Sequence, residues 1–218
     1  MKILIVSGFL GAGKTTFIKR LARNVDQRFA ILENEYGAAG IDGARLGQNR
    51  QGTQKNVWEM TEQCICCIGK KDFAASVLTI ANVVDPEYLI VEPTGVGSLA
   101  RIIENLRQIE YERIQLLSPV TIVDVYSYRH YMAEYPELYQ DQIRSADTII
   151  VSKTEACQAE EKQRIQKFLQ EINSQAKIIT DYASTMTRED YQSLLLGGRY
   201  EKEVQDTQSG EKMPETFS

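Results

Sequence analysis

Lys2-Ile3-Leu4-Ile5-Val6-Ser7 runs directly into Gly8-Phe9-Leu10-Gly11-Ala12-Gly13-Lys14-Thr15-Thr16, an apolar run followed by a glycine-spaced turn, a lysine and two hydroxyls. The order specifies a strand, a phosphate-binding loop and a helix. Gly8, Gly11 and Gly13 let the backbone turn tightly, so that successive N–H groups face phosphate oxygens, and Lys14 brings a point charge to the β- and γ-phosphates. Thr15 offers its hydroxyl to Mg²⁺, and Ala12 and Thr16 complete the expected cofactor-binding stretch. Phe17–Ala22 continues as a helix whose positive end faces the anion.

Outward from this loop, short β-branched runs alternate with helical patterns. Strands are expected at Lys2–Ser7, Phe29–Glu33, Val57–Met60, Tyr88–Glu92, Val120–Asp124, Thr148–Ser152 and Lys177–Thr180. Helices are expected at Lys70–Val83, Ser98–Leu106, Tyr126–Glu134 and Glu160–Ile172, the last with Ile165, Phe168, Leu169 and Ile172 on one stripe. The reading is an α/β P-loop NTPase fold, a doubly wound, mostly parallel sheet with helices on both faces and its sites at the carboxyl ends of the strands. Residues 1–198 are expected to form one domain and 199–218 a flexible polar tail. The stretch Gly37–Lys55, rich in Gly, Gln, Asn and Arg, reads as a polar connection.

The chain has 218 residues with 25 basic and 30 acidic side chains, a net charge of −5. No basic stripe is interleaved with aromatics, so no nucleic-acid partner is expected. No apolar run approaches a membrane span and no signal-peptide pattern opens the chain, so a cytoplasmic protein is expected. Three of the four cysteines crowd at Cys64, Cys66 and Cys67, a pattern of metal or redox chemistry rather than of a disulfide framework. Thiolates suit Zn²⁺, Cu⁺ or, with less preference, Co²⁺ and Ni²⁺, and two or three leave a tetrahedral site open for exchange. Glu33, ending a neighbouring strand, is the leading non-sulfur ligand. A redox role is disfavoured because adjacent Cys66 and Cys67 close a disulfide only with strain.

Leu89-Ile90-Val91-Glu92-Pro93-Thr94-Gly95 is an apolar strand ending in an acid and then a glycine. Beside a phosphate loop, Glu92 holds the Mg²⁺ shell and the Gly95 N–H approaches the γ-phosphate; the lesser alternative is a helix-capping network around Pro93 and Ser98. Ser152-Lys153-Thr154-Glu155 sits where a base-reading loop lies in a GTP-binding sheet, with the Lys153 stem on the ring and Glu155 on the guanine edge. Asp42 falls where a switch segment would contact Mg²⁺, or is an ordinary loop residue. Asp124 reads as a helix cap, His130 as a helix-surface residue and Cys157 as structural or solvent-facing. The tyrosines of Tyr126–Tyr139 supply either a docking surface or amphipathic packing.

In collinear order, Gly8–Thr16, Glu33–Gly37, Cys64–Cys67, Glu92–Gly95 and Ser152–Glu155 resemble the motifs of the CobW group of P-loop GTPases, relatives of the urease and hydrogenase nickel-insertion GTPases, over roughly residues 1 to 185. The resemblance implies a metallochaperone: a GTP- and Mg²⁺-dependent, slowly hydrolysing protein that carries Zn²⁺ or Co²⁺ on Cys64, Cys66, Cys67 and Glu33. It would release the metal to a client metalloprotein or cofactor-assembly protein, with a homodimer mate as a further partner. Against the family pattern, Ser152 and Glu155 stand for Asn and Asp, Ala38 for a second Glu and Gln63 for Gly, and neither the family's carboxyl-terminal domain nor its histidine-rich run is expected within these 218 residues. Two other classes share the phosphate loop. One is a nucleotide-gated binding module with a structural metal; the other is a small-molecule kinase, whose Arg-rich lid has no counterpart here.

Overall fold

The computed structural model describes residues 1–33, 57–61, 70–197 and 200. Strands β1 (Lys2–Ser7), β2 (Phe29–Glu33), β3 (Val57–Thr61), β4 (Tyr88–Glu92), β6 (Val120–Asp124), β7 (Thr148–Ser152) and β8 (Lys177–Ile179) form one sheet in the order β3-β2-β4-β1-β6-β7-β8, and the two-residue β5 (Gln115–Leu116) pairs with β1. Every pairing of these strands is parallel. Helices are α1 (Lys14–Asn24), α2 (Lys70–Val83), α3 (Leu99–Arg107), α4 (Tyr128–Glu134), α5 (Pro136–Arg144), α6 (Ala159–Ile172), α7 (Tyr182–Thr185) and α8 (Arg188–Leu196). The expected doubly wound α/β architecture is the observed one.

The unbroken apolar run of β1 follows from burial on both faces. Ile3 and Ile5 face α2 and α3 through Phe73, Val77, Leu99 and Ile103, whereas Leu4 and Val6 face α1 and α8 through Phe17, Leu21 and Leu195. All four β1 side chains are fully buried, each stabilising the fold by roughly 1.5–3 kcal/mol, which anchors the loop that follows. A third cluster joins Val123, Ile149 and Val151 to α4, α5 and α6. Because β1 lies between β4 and β6, the chain winds outward in both directions from it, and the crevice at its carboxyl end is where such a sheet takes a ligand.

Several elements differ from expectation for local reasons. The helix expected from Tyr126 begins at Tyr128, since Asp124 accepts from the Tyr126 N–H (2.9 Å) and the Ser127 hydroxyl (2.8 Å) and holds them in a turn. Helix α5, for which no bounds are expected from the sequence, starts at Pro136, which needs no N–H partner in a first turn. Helix α8 is set by a reciprocal Thr187/Asp190 capping box. Tyr200, two residues past the expected boundary at 198, is in contact with the sheet. Tyr200 is buried, its N–H donates to the Leu116 carbonyl (2.9 Å), and Arg107 lies 5.0 Å from its ring centroid. Burial, with Asp147 nearby, pushes the Tyr200 phenol up to about 12.

Candidate functional site

The loop from Gly8 to Gly13 connects β1 to α1, with Gly13 at the helix N-cap and no side chain capping it. The first-turn N–H groups of α1 are therefore left for an anion. Lys14 is buried, and its Nζ donates to the carbonyls of Gly8 (3.0 Å) and Phe9 (3.4 Å). Burial holds the ammonium below its ordinary range, while the charge of Glu92 pulls it partly back. Thr15 and Thr16 are exposed on the same turn.

Glu92, at the end of β4, comes to this turn: the Thr15 hydroxyl lies 3.0 and 3.2 Å from its two carboxylate oxygens. A hydroxyl and a carboxylate meeting beside an open helix N-terminus are the donor set that Mg²⁺ takes next to a triphosphate, so these residues fit that cofactor. Gly95 is packed on the loop itself. A Cβ there would sit 2.4 Å from Leu10 N and 2.9 Å from Phe9 C, so only glycine allows the two segments to touch.

On the other side of β1, the buried Ser152 hydroxyl donates to the Ala12 carbonyl (2.6 Å). Ser152 thus reaches the loop, and its one proton faces the Ala12 carbonyl, with the Val123 carbonyl farther off at 3.4 Å, rather than a base. Ser152→Ala is expected to cost about 1–2 kcal/mol of stability, because it orphans a buried carbonyl, and to leave the guanine-over-adenine preference unchanged; urea unfolding and competition binding measure the two. Glu155 is exposed, and Lys153, with a left-handed φ of 61°, pairs with Asp124 at 2.6 Å. Burial raises the Asp124 carboxyl, but its bonds to Lys153, Tyr126 and Ser127 outweigh this and hold it below the usual carboxylate range. The stabilisation is present above the ordinary carboxylate pKa and is lost as pH falls through the lowered one.

The sequence does not reveal the role of the tyrosines, which is to grip the loop. Phe9 packs against Tyr131, Tyr135 and Tyr139 at centroid distances of 4.6, 5.9 and 5.1 Å, and the Tyr131 hydroxyl donates to the Leu10 carbonyl (3.0 Å). Tyr131 lies on α4, Tyr135 at the junction and Tyr139 on α5, so two short helices converge on one ring. Tyr128 and Tyr139 are accordingly buried, while Tyr126 and Tyr135 are exposed. His130 is exposed on α4, and Cys157 is a half-buried free thiol. Asp42, Cys64, Cys66 and Cys67 lie outside the described residues, and among the described residues no cluster of His, Cys, Asp or Glu forms a metal site. The backbone of Glu33 is in β2, and the register aligns three strand ends: Glu33 pairs with Glu92 on one side and with Thr61 on the other. No described helix is long and apolar enough to cross a membrane.

Residues 2–180 match the family model described as the CobW/HypB/UreG nucleotide-binding domain. The zinc chaperone YeiR of Escherichia coli K12 is 30% identical over 178 residues, which cover 80% of this chain and 53% of that protein. Among solved structures, the Zn(II)-bound YjiA GTPase of E. coli superposes with a TM-score of 0.62 at 19% identity, covering 93% of this chain and 66% of that one. The hydrogenase maturation factor HypB of Archaeoglobus fulgidus gives a TM-score of 0.60 at 17% identity, covering 90% and 89%. These structural likenesses concern the fold. The chain spans about half the length of the curated relatives it matches.

Proposed function

The chain belongs to the CobW/HypB/UreG nucleotide-binding family, and from that premise we propose that it is a GTP-binding, slowly GTP-hydrolysing metallochaperone that delivers zinc or cobalt to a client protein. The relatives named zinc chaperones support zinc as cargo. Cys64, Cys66, Cys67 and Glu33 are the proposed metal ligands; Ser152, Lys153 and Glu155 form the base-side wall, with Glu155 as the proposed guanine reader. The cytoplasm is the proposed compartment, and a dimer mate is a proposed partner in hydrolysis.

The observation that carries the reading is the register Thr61, Glu33, Glu92 across adjacent strand ends. Glu92 touches the Thr15 hydroxyl of the phosphate loop, Glu33 ends the next strand, and Thr61 ends the strand that leads within three residues to Cys64. The nucleotide machinery and the proposed metal ligands therefore leave the sheet from consecutive parallel strands. A movement at Glu92 is transmitted one strand spacing at a time to the metal side.

In the proposed mechanism Lys14 and the loop amides hold the β- and γ-phosphates, and Thr15 and Glu92 hold Mg²⁺, which when bound neutralises charge developing on the transferred phosphoryl group. Gly95 places its N–H toward the γ-phosphate. Loss of that phosphate frees the segment after Glu92, and with it the neighbouring strand end at Glu33, which loosens the metal. In this reading turnover stays slow until a partner or dimer mate completes the site.

The test is a Co²⁺ titration followed by thiolate-to-metal absorption. Affinity should differ about tenfold between the chain loaded with GTP analogue and with GDP, and metal should change nucleotide affinity by the same factor. Cys66→Ser with Cys67→Ser should abolish the absorption. Equal metal affinity in both nucleotide states would refute the switch.

A further inference from the structure

Gln142, on α5, is fully buried, yet it is not part of any motif. Its Nε2 donates to two carbonyls of the segment that follows Glu92: Gly95 at 3.1 Å and Gly97 at 2.9 Å. Two acceptors facing one end of the amide fix which end carries the nitrogen. Both N–H protons are thereby used, while Oε1 is buried with no hydrogen-bond donor among the described residues. The backbone of the same residue is fastened to the sheet, since its carbonyl accepts from the Thr121 hydroxyl of β6 (2.9 Å).

The preceding residue grips the other end of the segment. Asp141 Oδ2 accepts from the N–H groups of Leu99 (2.7 Å) and Ala100 (3.4 Å), the first turn of α3. Helices α4 and α5 also hold the facing wall of the site, through the ring contacts of Tyr131, Tyr135 and Tyr139 with Phe9 and the Tyr131 bond to Leu10. Gly95 lies between the two grips, against the backbone of Phe9 and Leu10. One helical hairpin thus spans the phosphate loop and the segment proposed to sense the γ-phosphate.

We propose that Gln142 is a positioning residue that presets Gly95 for the γ-phosphate, with Asp141 as the second point of the same bracket. The inference rests on the nucleotide-binding reading above. Holding the Gly95 and Gly97 carbonyls fixes the Gly95–Val96 and Gly97–Ser98 peptide planes, which narrows the backbone states open to Gly95 and keeps the residue, with its N–H, on the loop. A group that orders this segment acts on the γ-phosphate and not on the α- and β-phosphates, which the loop holds by itself. Its signature is therefore a ratio of triphosphate to diphosphate affinity, not an affinity for nucleotide in general.

The experiment compares Mg²⁺ with the β,γ-imido analogue of GTP against GDP by calorimetry, on wild type, Gln142→Leu and Asp141→Ala. Gln142→Leu should lower analogue affinity about tenfold and leave GDP affinity within about twofold; Asp141→Ala should move the ratio the same way by about threefold. Because Asp141 is only partly buried, its variant decides the matter if Gln142→Leu does not fold. A folded variant in which both affinities fall together, or in which neither changes, overturns the inference and leaves nucleotide binding standing. A wild-type chain that binds neither nucleotide overturns the parent reading and this inference with it.

Discussion

Lys14→Ala is expected to weaken binding of Mg·GTP several hundredfold while changing the stability of the free chain by less than about 1.5 kcal/mol, because the two measurements see different partners of the same ammonium. In the free chain Lys14 donates to two neutral carbonyls of its own loop, and those bonds are offset by the cost of burying the charge. With a triphosphate bound the same ammonium meets anionic oxygens in a site screened from water, where each charge-assisted bond is worth about 1.5–3 kcal/mol. Isothermal titration gives the first quantity and urea unfolding the second. Equal losses in both would mean that Lys14 is a structural residue.

The same residue makes binding depend on pH in a defined direction. Burial lowers the Lys14 pKa in the free chain from 10.5, and Glu92 restores part of the shift. Phosphate raises it again, so binding takes up a proton between the lowered value and 10.5. Affinity should fall as pH rises through that window, more steeply in wild type than in Lys14→Ala, which shares any titration of the nucleotide. For folding the sign is opposite. The unfolded chain binds more protons there, so the free chain gains stability as pH rises.

Gly8→Ala is expected to destabilise the fold by about 3–5 kcal/mol, the largest effect of any single methyl group in the loop. Gly8 has a φ of +141°, and a Cβ would lie 2.4 Å from the Ile122 carbonyl oxygen, in the middle of β6. Neither strain can be relieved locally, because β6 is pinned between β1 and β7. Gly11 is the control: its φ is +70° and a Cβ there meets nothing within 4 Å, so Gly11→Ala should cost only about 1 kcal/mol, the conformational term. Urea midpoints of the two variants with unchanged slopes test the difference.

The strands around β1 were legible because burial on both faces leaves an uninterrupted apolar run, and the phosphate loop because its chemistry is local in sequence. Asp124 was legible as a cap for the same reason: its partners Tyr126 and Ser127 lie within three residues. Gln142, Asp141 and Ser152 were not legible in their observed roles. Each makes its decisive bond 42 residues or more away along the chain, and a polar residue on an amphipathic helix looks like a surface residue until tertiary packing buries it. Tyr200 was not legible as a buried residue because it is a lone aromatic among polar neighbours in the sequence. Helix α8, by contrast, carried a readable start in Thr187 and Asp190.

The parallel sheet has a consequence for how the molecule acquires its site. Ile3 pairs with Leu89 and Val6 with Val120, so β1 is fixed only by closing chain segments of about 90 and 110 residues, which places folding among slow, high-contact-order topologies. A nascent chain that has emerged as far as α1 carries the whole phosphate-binding motif. It lacks the Ile122 carbonyl that abuts Gly8 and the Ser152 hydroxyl that holds Ala12. Nucleotide therefore finds its cradle late, after β7 has docked, and by mass action it then favours only chains that have completed the sheet.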